Sequence, residues 1–160
     1  MKVAIYARVS TEDQNVKQQS KYLKEWCGKQ GYEIVKKVED EESGRLPLIE
    51  RKKFRKLLEI SLYKGFEAII IINLDRLTRN WDDVTYIEKH FRDNWDKCNL
   101  ISTSDAIDLS NASGRMLFRI KMAVSCYMPE DMREKQIIGI ERAKAQGKYK
   151  GRVIGSKNIK

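Results

Sequence analysis

The sequence predicts an α/β domain: a mostly parallel sheet of four to five strands flanked by helices, with a long helix added at the C-terminal end. Three observations predict it. Short β-branched runs alternate with amphipathic helical patterns through the first two-thirds of the 160 residues. One run, at 68–72, is almost uninterrupted isoleucine and suits a strand covered on both faces. The last third carries a single helical pattern and no strand signal.

The elements follow in order. "KVAIYARV" (2–9) reads as the first strand, and residues 12–30 as a helix with Val16, Tyr22, Leu23, Trp26 and Cys27 on its apolar face. Gly31 suits a left-handed cap at the end of that helix. "YEIVKKVED" (32–40) is a second strand, and residues 51–64 a helix that repeats Phe54, Leu57, Leu58, Ser61 and Leu62 at three- and four-residue spacing. "FEAIIIINL" (66–74) is the third strand, residues 82–94 a helix with Val84, Ile87 and Phe91 inward, and "KCNLISTS" (97–104) the fourth strand. Right-handed crossovers are expected between parallel neighbours.

From Gly114 to Gly147 runs one helical pattern that opens with Met116, Leu117, Ile120, Ala123, Val124 and Tyr127. Pro129 is expected to break or kink it, because proline removes a donor and clashes with the preceding turn at about 3 kcal/mol. A helix this long cannot bury its length on a small sheet, so packing against a second subunit is expected. The chain therefore divides into an α/β domain over 1–113, a long dimerisation helix over 114–147, and a basic hinge or tail over 148–160.

Charge narrows the partners. The chain carries a formal net charge of +9, which favours polyanions, nucleic acid ahead of a membrane surface. Residues 133–160 hold nine basic side chains against only Glu134 and Glu141. Arg142, Lys144, Lys148, Lys150 and Arg152 are the candidates to lie along a phosphate backbone. The three cysteines form no CxxC pair and the only histidine is His90, so a zinc site is not expected and a reducing, cytoplasmic setting is. No apolar run approaches a membrane span, and the five apolar residues between Lys2 and Arg8 are too few for a secretory signal. His90 reads as a helix-surface residue, and Trp26, Trp81 and Trp95 as packing residues.

No GxGxxG and no GxxxxGK[ST] follows the first strand, so familiar nucleotide sites are absent. Instead that strand ends at Ser10, at the carboxyl edge where open α/β sheets place their sites. The next helix would aim its free N–H groups at the same spot. "TEDQ" fits a capping box, with Thr11 as cap and Gln14 reaching back, and this leaves Ser10 as either a plain helix-start residue or a nucleophile. The third strand ends in "NLDRLTRN", bringing Asp75, Arg76 and Arg79 to the same edge, with the two arginines on one side of a helical turn. The loop "EDEESGRLPLIERKKF" adds Arg45 and Arg51. Guanidiniums converging beside one hydroxyl are suited to gripping a phosphodiester and compensating the charge that develops during its attack.

"YARVSTEDQ", "EDEESGRLPLIERKKF", "IINLDRLTRN" and "SGRMLFRIKMAV", in this order and spacing, resemble the catalytic domain of the serine recombinases, the resolvase and invertase group. The resemblance runs from Lys2 to about Arg152. It implies that Ser10 attacks double-stranded DNA and forms a 5′-phosphoserine link, with Arg8 as its nearest phosphate ligand. It also implies two dimers paired as a tetramer, staggered breaks, exchange by rotation and resealing without metal or nucleotide cofactor. By the same resemblance Arg51, which matches the family's loop arginine better than Arg45, belongs to the catalytic set with Asp75, Arg76 and Arg79, while Tyr6, Gln14 and Asp40 support it; Arg45, from the same loop, and Lys135 are further supporting candidates. Asp75 is a candidate for the general base.

Two departures accompany the match. The long helix of the family carries Glu, any residue, Glu-Arg and a later Glu-Arg, where this chain has Cys126, Met128, Pro129 and then Glu134 and Lys135. Lys135 keeps the charge and loses the bidentate fork. The family's helix-turn-helix, which follows a "GR" hinge, has no counterpart in "KGRVIGSKNIK". Two functions are therefore expected to compete: a site-specific recombinase catalytic domain, and a catalytically weakened DNA-binding or assembly subunit that keeps the fold.

Overall fold

The computed structural model describes residues 1–8, 16–42, 46–63 and 65–148. Five strands, β1 (Lys2–Arg8), β2 (Glu33–Asp40), β3 (Ala68–Ile71), β4 (Asn99–Ser102) and β5 (Ile107–Asp108), form one sheet in the order β2-β1-β3-β4-β5. All neighbours are parallel except β4 and β5. The helices are α1 (Val16–Lys29), α2 (Lys52–Ser61), α3 (Leu74–Leu77), α4 (Trp81–Asp93) and α5 (Ala112–Ala145), with a 3-10 turn at Leu48–Glu50.

The alternation of side chains along β1 builds two cores. Val3, Ile5 and Ala7 join Ala68 and Ile70 of β3 and pack against Leu23 and Cys27 of α1. Ala4 and Tyr6 join Ile69, Ile71 and Leu100 on the other face, against Phe54, Leu57 and Leu58 of α2 and Val84, Ile87 and Phe91 of α4, with Phe118 and Met122 of α5. Burial on both faces is why β1 and β3 read as continuous apolar runs. Gly31 ends α1 at φ 69°, with Tyr32 N donating to Cys27 O over 2.9 Å, as its position after the helical pattern led one to expect.

Several elements differ from their sequence expectation. The third strand stops at Ile71, and Leu74 opens α3 instead. The reason is Asp105: its Oδ2 accepts from Leu74 N over 2.8 Å and does the capping that the Asn73 side chain does not. Thr78 is extended (φ −155°, ψ 164°), so Arg76 lies on α3 while Arg79 lies beyond its end, not on a shared helical turn. The fifth strand is only two residues long, too short for a period-2 pattern, and follows a turn with Ala106 at φ 53°.

Within α1, Ser20, Leu23 and Cys27 face inward, while Tyr22 is 43% exposed. Trp81 and Trp95 are also exposed, and only Trp26 packs, edge-on to Tyr32. His90 is half-buried rather than on the surface, with Nε2 3.2 Å from Ser61 Oγ.

Helix α5 begins at Ala112, two residues ahead of its expected start, because Asn111 Oδ1 accepts from Gly114 N over 2.8 Å. Gly114 is obligatory by packing: a Cβ there would stand 1.6 Å from Asp108 O. Helical backbone continues through Pro129 to Ala145, and Gly147 closes it at φ 67°. Two compact units divide the chain between Cys126 and Tyr127. In the first, Met116, Leu117, Ile120 and Val124 of α5 are at least half exposed. In the second, Tyr127, Met128, Met132, Ile137 and Ile138 are exposed, and Lys135 pairs with Asp131 one turn away over 2.7 Å.

Candidate active site

The parallel register sets Arg8 opposite Asp40 at the carboxyl ends of β1 and β2. The Tyr6 hydroxyl donates to Asp40 Oδ2 over 2.8 Å, and Glu42 N donates to Asp40 Oδ1 over 3.1 Å. A carboxylate with no solvent exposure thereby has both oxygens satisfied. Burial, and then the charge of Asp40, push the Tyr6 hydroxyl far above the usual tyrosine range, so it remains a proton donor.

Arg8 is only 8% exposed and is held by main chain on two sides. Its Nε donates to Arg76 O over 2.8 Å and one terminal nitrogen donates to Glu42 O over 3.2 Å. Burial, followed by the positive charge of Arg51 and then of Arg76, works against its protonated form, whereas Tyr6 and Asp40 favour it. Arginine does not deprotonate in proteins, so Arg8 stays charged in this setting.

Arg51 is fully buried beneath this cluster. It donates through Nε to Leu46 O over 2.9 Å and through a terminal nitrogen to Leu77 O over 2.6 Å. It therefore ties the start of α2 to the end of α3. Asp83, unmarked in the sequence reading, braces the same junction: its two oxygens accept from Leu48 N over 3.0 Å and from Thr78 Oγ1 over 2.6 Å. The signal for it was its place in the first turn of α4, beside "LTRN".

Arg76 and Arg79 are exposed and Asp75 is partly so. Asp75 Oδ2 lies 3.9 Å from Arg79, and its Oδ1 lies 4.0 Å from Lys121 of α5. Asp105 and Lys121 were also missed in the sequence. Neither residue type stands out until the fold brings the β4–β5 turn, α3 and α5 together.

The structure thus assembles Tyr6, Arg8, Asp40, Arg51 and the α3 backbone in one place, with Asp75 and Arg79 on α3 and just after it. Lys135, Arg142, Lys144 and Lys148 belong to the second unit, where all are exposed. Ser10, Thr11, Gln14, Arg45, Lys150 and Arg152 lie outside the described residues. Among the described residues, no three His, Cys, Asp or Glu side chains are grouped to hold a metal ion.

A mostly parallel sheet whose carboxyl edge gathers guanidiniums around a buried tyrosine–aspartate pair defines an α/β domain with a strongly cationic edge. The chain belongs to the serine recombinases: residues 3–149 match the Resolvase, N terminal domain family. It is 30% identical over 149 residues to the transposon Tn917 resolvase of Enterococcus faecalis, covering 92% of this chain and 73% of that protein. It is 31% identical over 147 residues to the DNA-invertase of Escherichia phage P1, again over 92% and 73% of the two chains.

Solved structures agree. The N-terminal catalytic domain of TP901-1 integrase matches with a TM-score of 0.62 and 28% identity, covering 84% of this chain and 98% of that one. A resolvase family site-specific recombinase from Streptococcus pneumoniae matches at 0.61 and 27%, covering 90% and 99%. The chain is thus an enzyme of the class that cleaves and rejoins DNA strands. Among the described residues, no helix is long and apolar enough to cross a membrane.

Proposed function

We propose that Ser10 is the nucleophile of this recombinase and that Arg8 and Arg76 grip the phosphodiester it attacks, with Arg79 completing the clamp. The Ser10 hydroxyl oxygen forms a bond to phosphorus, the bond from phosphorus to the 3′ oxygen breaks, and the DNA leaves a 3′-hydroxyl and a 5′-phosphoserine. Rejoining is the reverse: a 3′-hydroxyl attacks the phosphoserine and Ser10 departs. Bond energy is conserved in the covalent intermediate, so the cycle needs neither metal nor nucleotide. Asp75 is the candidate to take the serine proton, and Arg51 acts from beneath by fixing the arginine-bearing backbone.

The observation that carries this reading is Arg8, two residues before Ser10. It is nearly buried, oriented by carbonyls from β2's exit and from α3, and has the guanidiniums of Arg51 and Arg76 as well as the Asp40 carboxylate for neighbours. In the same reading, residues 1–113 are the catalytic domain and 114–147 the helix that dimerises and follows DNA. Residues 148–160 are a basic tail. The exposed apolar side chains of α5 support a homodimer, with two dimers joining on DNA. The basic side chains Arg142, Lys144, Lys148, Lys150 and Arg152 would follow the phosphate backbone. Buried Cys27 and Cys98 with free thiols fit a cytoplasmic setting.

One observation favours a weakened enzyme as the second reading: Lys135 is engaged by Asp131 on its own helix. The two are separated by trapping protein–DNA adducts under denaturing conditions on a nicked cognate site. Wild type should give the adduct and Ser10→Ala none; equal adducts from both would refute Ser10 as nucleophile. A large gain in cleavage from Lys135→Arg combined with Pro129→Arg would favour the second reading.

A further inference from the structure

On α5, Gly114, Phe118 and Met122 recur every four residues on the buried face. Lys121, beside that face, sends its ammonium to two carboxylates, 3.5 Å from Asp105 Oδ1 and 4.0 Å from Asp75 Oδ1. Asp105 is only 10% exposed, and its other oxygen is already used. That oxygen accepts from Leu74 N over 2.8 Å and from Ser102 Oγ over 2.7 Å. Leu74 is the first residue of α3, and two residues later Arg76 O receives Arg8 Nε. A continuous chain of polar contacts thus runs from α5 through Lys121, Asp105 and α3 to Arg8.

Asp75 adds a second consequence. Its two oxygens face different cations, Lys121 on one side and Arg79 on the other. A lysine that satisfies part of Asp75 leaves the Arg79 guanidinium less committed to it, and a guanidinium free to turn can meet a phosphate.

We propose that Lys121 is a positioning residue for strand cleavage, joining Asp75 to Asp105 so that α3 presents Arg76 and the carbonyl that aims Arg8, and the segment just after α3 presents Arg79. This rests on the assignment of those arginines to the phosphodiester under Proposed function. The lysine side chain is 41% exposed, and ion pairs so placed contribute little to global stability, so its effect is on geometry.

The test compares Lys121→Met and Lys121→Arg with wild type. Single-turnover cleavage at saturating protein should fall about tenfold in the methionine variant, and the arginine variant should recover to within about threefold. DNA affinity and the urea midpoint should stay near wild type, which separates positioning from binding and from folding. Amide exchange at Leu74 should be roughly tenfold faster in the methionine variant. An unchanged Leu74 exchange, a cleavage rate equal to wild type, or an arginine variant as slow as methionine overturns the proposal. Should wild type itself form no adduct, the reading of the reaction fails, and Leu74 exchange still decides whether Lys121 clamps α3.

Discussion

The Tyr6 hydroxyl and the Asp40 carboxylate meet at 2.8 Å, the first side chain 3% exposed and the second not at all. This pair joins the two strands whose ends carry Arg8 and the loop after β2. Removing the phenol leaves a buried carboxylate oxygen short of its donor. Tyr6→Phe should therefore lower stability by about 1–3 kcal/mol, read from the urea midpoint at constant slope. A loss below a few tenths would mean that the pair is not formed.

Arg51 and Arg76 should separate stability from chemistry. Arg51→Leu strands two carbonyl acceptors, Leu46 O and Leu77 O, and should cost on the order of 3 kcal/mol by chemical denaturation. Arg76→Ala removes an exposed guanidinium and leaves its main-chain carbonyl for Arg8, so folding should be nearly unchanged. Cleavage should nevertheless fall about 100- to 1,000-fold in a single-turnover assay.

How much of this was legible in the sequence differs from residue to residue. The isoleucine run, the cap at Gly31 and the helical periods around Phe54 and Ile87 were readable because local pattern and tertiary burial agree there. The end of the third strand was not, since Leu74 continues the apolar run and only the distant carboxylate of Asp105 turns it into a helix start. Arg79 was wrongly set on a turn with Arg76 for the same reason: Thr78 is drawn out of the helix while its hydroxyl is held by Asp83. Pro129 signalled a break or a kink, and the backbone stays helical across it. Site arginines could be named from "LDRLTR" and "YARV", but not which would be buried. Burial of Arg51 depends on carbonyls at 46 and 77 that no local motif announces.

Gly114 is fixed by contact. A methyl group at that position would collide with the Asp108 carbonyl, whose residue also receives a hydrogen bond from Asn99. Gly114→Ala should cost about 1–3 kcal/mol and lower the thermal midpoint, even though alanine is the better helix former. A stabilised variant would show that α5 does not approach β5 so closely.

His90 gives a pH signature. Burial, and then Lys97, hold its imidazole below the usual value of about 6.5. A folded-state pKa below the unfolded one means that the unfolded chain binds the proton first. The contribution of neutral His90 is therefore full above about 6.5 and is lost as pH falls through the lower folded value. As the only histidine, it gives a single proton NMR titration, whose midpoint should lie below 6.5. His90→Gln should flatten the stability profile in that window, and a midpoint at or above 6.5 would contradict the burial.

The central claim is that Ser10 makes the covalent link beside an oriented Arg8. The most direct measurement is tandem mass spectrometry of the proteolysed protein–DNA adduct, locating the residue that carries the nucleotide. The expected result is a 5′-phosphate ester on Ser10, with adduct yield reduced about 100-fold or more by Arg8→Ala. A nucleotide on any other residue, or an Arg8→Ala protein that forms the adduct as fast as wild type, would contradict it.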